Sequence, residues 1–122
     1  MKIQKLTEPK KYDLEERTLK FAIDSRLFVK KLPRTISNIE DVKQDVRSSG
    51  SVGANYIEAN ESLSKKDFCF RIKICRKEAK ESSYWLKIMI ATNTEFQSEI
   101  NILIKESDEL KKIFSSILEK SS

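Results

Sequence analysis

Four segments of the chain repeat apolar or small side chains in alternating steps of three and four residues. This spacing places each set on one face of an α-helix. Only two glycines and two prolines occur in 122 residues, so the chain has few of the residues that interrupt helices. The pattern therefore predicts an all-α fold. The four repeats run over residues 14–32, 39–56, 68–89 and 96–117.

Each repeat follows a candidate capping box, in which a short polar side chain and an acidic residue three positions later bind the free amides of a first helical turn. The four boxes are Asp13/Glu16, Ser37/Glu40, Ser64/Asp67 and Thr92/Glu95. They predict helices over residues 13–32, 38–62, 65–91 and 94–119. Short connections favour antiparallel neighbours, so we expect an up-down-up-down four-helix bundle. The whole chain, 1–122, forms one domain, with loose tails at 1–11 and at the last two serines.

Composition excludes several functional classes. The chain has no histidine, so the usual general base and most zinc sites are missing. Cys69 and Cys75 lie six residues apart on a predicted helix and point away from each other, which excludes a disulfide between them. Gly50 and Gly53 lie in a helical pattern and not in a phosphate-binding turn. We expect a protein that is not an enzyme and has no metal, cofactor or small-molecule substrate.

Apolar segments are short throughout the chain. None approaches the roughly 18 residues that a membrane span requires, and the first residues lack the apolar stretch of a secretion signal. We therefore expect a cytoplasmic protein without a membrane partner.

Two predicted helices carry a second set of large apolar residues, away from the core stripe. Scattered apolar residues are normal on a protein surface, but these are aligned, and burying each one would contribute on the order of 1.5–3 kcal/mol. The pattern favours a subunit interface over a membrane-surface helix, because no basic face lies directly opposite. The residues are Leu19, Ile23 and Leu27 in the first helix and Phe70, Ile74, Trp85 and Ile88 in the third.

Positive charge is concentrated in the third predicted helix. Residues 65–87 contain eight basic and three acidic residues, which accounts for the whole net charge of +5. Six basic residues and one tyrosine fall within a sector of roughly 100° on the helix. Such a stripe can follow phosphates, with the tyrosine available for base stacking; a solvated lysine face and an acidic protein partner are the alternatives. The stripe consists of Lys66, Lys73, Arg76, Lys77, Lys80, Tyr84 and Lys87.

The second predicted helix carries a polar stripe opposite its apolar repeat. Ser and Asn lower helix propensity in a helix interior, which suggests that the stripe has a use. We expect an inter-subunit hydrogen-bond network through Arg47 and Glu58, with solvated surface and a ligand or phosphate site as alternatives. The stripe consists of Gln44, Arg47, Ser51, Asn55 and Glu58.

Two stretches carry a family resemblance: QDVRSSGSVGANYIEA at 44–59 and KDFCFRIKICRKEAKESSYWLKI at 66–88. Together with YDLEERTLKFA in the first helix, they resemble the 23S rRNA intervening-sequence proteins over about three quarters of the chain. These are bacterial four-helix-bundle proteins, several of them encoded within insertions in large-subunit ribosomal RNA genes. They are distantly similar to the basic, nucleic-acid-binding accessory proteins of diversity-generating retroelements.

The resemblance implies a homopentameric ring and a possible RNA or DNA partner, and no catalytic residue is established for the family. Its motif carries over onto Arg47, Ser48, Ser51, Asn55, Glu58, Lys73, Glu78, Tyr84 and Trp85. We therefore expect an oligomeric nucleic-acid-binding accessory protein. The alternative is a structural or adaptor oligomer that binds a protein partner and no nucleic acid.

Overall fold

The computed structural model of the chain describes residues 9–121, with side chains from residue 14 onwards. It contains four long helices, and a single 3-10 turn at Thr94–Phe96 precedes the last one. Within this part of the chain there is no strand, so the predicted all-α fold is confirmed, and no helix is long and apolar enough to cross a membrane. The helices are α1 (Pro9–Val29), α2 (Ile36–Asn60), α3 (Lys65–Thr92) and α4 (Gln97–Ser121).

The side chains that meet between successive helices reveal an antiparallel order. Between α1 and α2, Thr18 lies against Gly53 and Arg26 against Val46. As residue numbers rise along one helix, they fall along its neighbour, which is the predicted up-down-up-down bundle. The same relation holds for Ser48/Ser82 and Asn55/Arg71 between α2 and α3, and for Arg76/Ser115 and Ser83/Asp108 between α3 and α4.

The ring of helices closes through a contact between α1 and α4. The guanidinium of Arg17 donates to both carboxylate oxygens of Glu106, at 3.0 and 2.8 Å, and Lys31 pairs with Glu99. Between these helices lies a groove of about 610 Å³ over Phe21 and Leu103. Two ion pairs therefore help to close the α1–α4 seam, as the two pairs of Arg47 do between α2 and α3.

Three of the four predicted core stripes point inward. Every member of the first stripe is buried, from Leu14 in α1 to Leu32, although α1 ends at Val29 and not at the predicted residue 32. In α3 and α4 the central members are buried, and the end positions Phe68, Phe96 and Ile117 are half-buried against the core. The spacing of apolar residues thus identified the inward faces of these helices.

The predicted stripe of α2 is right at Ser49 and Tyr56, which are buried, but wrong by about one residue in the first half of the helix. Ile39, Val42 and Val46 are only half-buried, whereas the preceding positions Asn38, Asp41 and Asp45 are buried. The reason is that several buried polar groups of α2 find partners on α3 or just after it. At the end of the bundle, the side-chain amides of Asn38 and Asn93 each donate to the oxygen of the other, both at 2.9 Å.

Of the four predicted capping boxes, the structure confirms the N-cap residue of one. Ser64 is the N-cap of α3, and its hydroxyl accepts a hydrogen bond from the backbone amide of Asp67. The N-cap of α2 is Thr35, two residues before the predicted Ser37. The hydroxyl of Thr35 accepts a hydrogen bond from the backbone amide of Asn38. Thr92 is the last residue of α3 and donates to the carbonyl of Ile88, so it starts no helix.

The predicted start of the first helix is also wrong. Since α1 begins at Pro9, Asp13 lies inside the helix and not at its N-cap, and residues 9–11 belong to the helix and not to a tail. The remaining predicted tail positions, residues 1–8 and 122, lie outside the described residues.

The two glycines of α2 provide a stability test. A Cβ at Gly53 would lie 2.9 Å from Thr18 Oγ1 and 3.1 Å from Thr18 Cβ, atoms that cannot swing away. A Cβ at Gly50 would meet only the far end of the Arg26 side chain, at 2.9 Å. At Gly53 the cost of overpacking should outweigh the gain in helix propensity, whereas at Gly50 it should not. We therefore expect Gly53→Ala to lower the free energy of unfolding by about 1–2 kcal/mol.

Urea unfolding of both variants measures this difference. Gly50→Ala serves as the matched control and should stay within about 0.5 kcal/mol of the wild type or exceed it. Equal effects of the two substitutions would contradict the close α1–α2 approach.

Candidate nucleic-acid interface and apolar faces

The predicted basic stripe lies on the surface of α3. Lys66, Lys73, Lys77, Lys80 and Lys87 are all exposed. None of the five forms an ion pair with another side chain of residues 14–121. The sixth cation, Arg76, is half-buried because its guanidinium reaches the Ser115 hydroxyl on α4 at 3.4 Å. The Tyr84 side chain, 58% exposed, lies among the lysines.

Two of the three acidic residues of this segment are bound on another side of α3. Arg47 of α2 donates to Glu81 at 2.8 Å and to Glu78 at 3.4 Å. Burial alone would raise the pKa of Glu81, but hydrogen bonds from Arg47 and from the Trp85 indole hold that pKa below its ordinary value. Both carboxylates are therefore directed toward Arg47 at the α2–α3 seam, and the stripe keeps its positive charge.

On α1, the second apolar face is exposed as predicted. Leu19, Ile23 and Leu27 are 61%, 45% and 54% exposed. By the 100° turn per residue they lie opposite the buried stripe of the same helix. Among the side chains of residues 14–121 they are therefore left largely open to solvent.

The apolar residues of α3 are arranged differently from the prediction. Phe70 is 60% exposed, but Ile74 and Ile88 are half-buried. Trp85 is also half-buried, because it packs against the core and its indole N–H donates to Glu81 at 3.3 Å. Phe70 is therefore exposed as predicted, whereas Trp85 lies beside the α2–α3 seam through Glu81, and the assignment of these residues to a subunit interface stays a prediction.

Much of the polar stripe of α2 forms bonds within the chain. Arg47 binds the two glutamates of α3, and Asn55 accepts from Arg71 at 3.0 Å while donating to the carbonyl of Ser51. Glu58 is exposed. The inter-subunit network stays a prediction for Ser51 and Glu58, whereas Arg47 already has partners in its own chain.

The sequence reasoning missed a polar layer in the middle of the bundle. Ser25 of α1, Asp45 and Ser48 of α2, Ser82 of α3 and Ser107 of α4 are each fully buried. A signal was present, since all four predicted repeats have a serine near this level: Ser25, Ser49, Ser82 and Ser107. Asp45 gave no such signal, because the predicted stripe placed it next to the buried face.

Comparisons with known proteins agree with this architecture. The model of the family described as 23S rRNA-intervening sequence protein matches residues 10–116. A solved structure of a protein of unknown function from Bacteroides thetaiotaomicron, assigned to the S23 ribosomal protein family, matches with 30% identity and a TM-score of 0.75. That match covers 85% of this chain and 96% of the other. None of the curated proteins compared with the chain matches it. Because the family model matches most of this chain, the chain belongs to the 23S rRNA-intervening sequence protein family.

Proposed function

We propose that this protein is a non-enzymatic, oligomeric accessory protein of the cytoplasm that binds RNA or DNA through the basic stripe of α3. The observation that carries the proposal is the set of five exposed lysines without ion-pair partners among residues 14–121, beside two glutamates bound to Arg47. When unpaired surface cations bind phosphates, they displace the counterions condensed on the nucleic acid. The release of these counterions drives binding without sequence preference.

The dimensions of the stripe suit a nucleic-acid strand. From Lys66 to Lys87 the helix rises roughly 32 Å, at about 1.5 Å per residue. Tyr84 lies within the stripe, in an edge-on contact with Trp85 at a ring separation of 5.1 Å. Stacking of a base on such a ring contributes about 1–3 kcal/mol for single strands. The site therefore favours a single strand or a looped RNA over recognition of a duplex groove.

Self-association is the second part of the proposal. The α1 face of Leu19, Ile23 and Leu27 is exposed among the described residues, and a second copy would bury it. The family resemblance suggests a pentamer. An oligomer presents several stripes to one nucleic acid, and this raises avidity without any new contact.

The same α1 face supports a second candidate function. It could hold a different protein, in which case the chain would be a structural or adaptor oligomer without a nucleic-acid partner. Salt-dependent retention on an RNA or DNA probe separates the two functions, because an adaptor should show no such retention at physiological ionic strength.

Charge reversal in the stripe should weaken nucleic-acid binding. Lys73 and Lys80 are exposed and take no part in packing. For the Lys73→Glu/Lys80→Glu double variant, we expect at least a tenfold loss of affinity for a single-stranded RNA probe, because two phosphate contacts become repulsive. If four or five cations bind phosphates, the wild-type log–log salt slope should be about −3 on single strands and about −4 on duplex DNA.

The matched control for this experiment is Lys30→Glu/Lys43→Glu, which makes the same change in net charge at two exposed lysines, one just after α1 and one on α2. Its affinity should stay within about threefold of the wild type, because long-range charge effects are screened at physiological salt. Equal losses in both double variants, or no loss in either, would remove the stripe from the proposal.

A charge on the α1 face should disrupt self-association. We expect Leu27→Asp to reduce the mass measured by light scattering toward that of the monomer, because it places a carboxylate in the proposed apolar interface. Leu63→Asp is the control, since Leu63 is 99% exposed in the α2–α3 connection and away from the α1 face. A wild-type monomer, or a Leu27→Asp variant of unchanged mass, would contradict this assignment.

A further inference from the structure

The polar layer lies at one level of the bundle. The hydroxyls of Ser48 and Ser82 are 2.9 Å apart across the α2–α3 seam. The pairing of Arg26 with Val46 places Ser25 of α1 at the same level as Asp45, and the pairing of Ser83 with Asp108 brings Ser107 to this level. Small polar groups of all four helices thus surround a single ionisable one, Asp45.

Not every member of the layer has a hydrogen-bond partner. Ser107 donates to the carbonyl of Ile104, and the hydroxyls of Ser48 and Ser82 form a hydrogen bond with each other. The Ser25 hydroxyl and both carboxylate oxygens of Asp45 are buried without a partner among the described residues. A charged carboxylate in this state is strongly unfavourable, whereas a neutral carboxylic acid loses much less on leaving water.

From this geometry we propose that Asp45 is held as a neutral acid in the folded bundle, and that loss of its proton loosens α1 from α2. The protonation state of Asp45 then controls how closely α1 packs against α2. This inference goes beyond nucleic-acid binding and does not depend on it.

The surrounding charges leave Asp45 without a counter-ion. On α1, Arg26 favours the ionised form, but its guanidinium already donates to the carbonyls of Ala22 and Val46, both at 3.1 Å. On α2, Asp41 lies one turn away and also has an unpartnered oxygen. Burial outweighs the effect of Arg26 and raises the pKa of Asp45 to about 7.

The other two helices contribute no free charge at this level. On α3, Glu78 and Glu81 are bound to Arg47. On α4, Glu106 is bound to Arg17, and Asp108 accepts from the Ser83 hydroxyl at 2.7 Å. The cations among these groups, Arg47 and Arg17, could neutralise Asp45 only by breaking bonds that they already have.

Helix α1 is the element that ionisation should release. Its seam with α4 contains the groove over Phe21 and Leu103, and its ion pairs there are partly exposed. Partly exposed ion pairs contribute little to stability. A small outward movement of α1 lets water reach Asp45, while the α2–α3 and α3–α4 seams stay closed.

The direction of the pH effect follows from linkage. The pKa of Asp45 is about 7 in the folded chain and about 3.9 in an unfolded one. The stabilisation is complete below the unfolded value and is lost as pH rises through the folded value. Opening of α1 should therefore increase with pH between about 4 and 7 and then level off.

Hydrogen exchange followed by mass spectrometry on the full chain tests the proposal. After correction for intrinsic exchange rates, the opening constant of α1 should rise about 100-fold between pH 5 and pH 8 in the wild type. In Asp45→Asn, which cannot ionise, α1 should stay protected at pH 8. Asp24→Asn is the control, because it removes an α1 carboxylate that pairs with exposed Lys20, and it should behave as the wild type.

Identical pH profiles for the wild type and Asp45→Asn would overturn the proposal, as would uniform opening of all four helices. If Asp45→Asn does not fold, carbon NMR of the wild-type carboxyl gives the answer directly. A titration near pH 7 supports a buried neutral acid, and a titration near pH 4 rejects it.

Discussion

Arg47 makes the contact on which both the fold and the proposed surface depend. It crosses from α2 to α3 and binds Glu78 and Glu81. Because its side chain is half exposed, the ion pair contributes modestly to stability. Its larger effect is on electrostatics, since it binds the only two acidic residues in the middle of a basic helix. It also orients Glu81 to accept from Trp85, which fixes that ring at the edge of the seam beside Tyr84.

The interior of the bundle combines apolar layers with groups that demand specific partners. The Asn38/Asn93 pair and the Ser48/Ser82 pair each join α2 to the α3 side of the bundle. A shift in register would leave their donors and acceptors buried without partners, which costs more than the bonds themselves contribute. We infer that these pairs select one alignment of α2 and α3. Ser25, Asp41 and Asp45 differ from these pairs, because each has a buried oxygen without a partner among the described residues.

Sequence patterns predicted the parts of the structure that depend on periodicity. The stripes of α1, α3 and α4 and the exposed faces at Leu27 and Lys80 follow from apolar and charged residues at helical spacing. Prediction failed where tertiary partners decide. The inward face of α2 turns toward Asn38 and Ser48 because their partners lie on or just after α3, and no local signal identifies those partners. Trp85 was predicted on an exposed apolar face for the same reason, since its packing against the core depends on tertiary contacts.

The central claim is that Arg47 keeps the stripe positive by binding Glu78 and Glu81. The most direct test is the affinity of Arg47→Met for a single-stranded RNA probe, compared with Lys43→Met, which removes one exposed charge one turn away on α2. If the claim holds, folded Arg47→Met binds several-fold more weakly than Lys43→Met, because both glutamates are freed beside the lysines, and adding Glu81→Gln restores part of the loss. Equal affinities of Arg47→Met and Lys43→Met would contradict it.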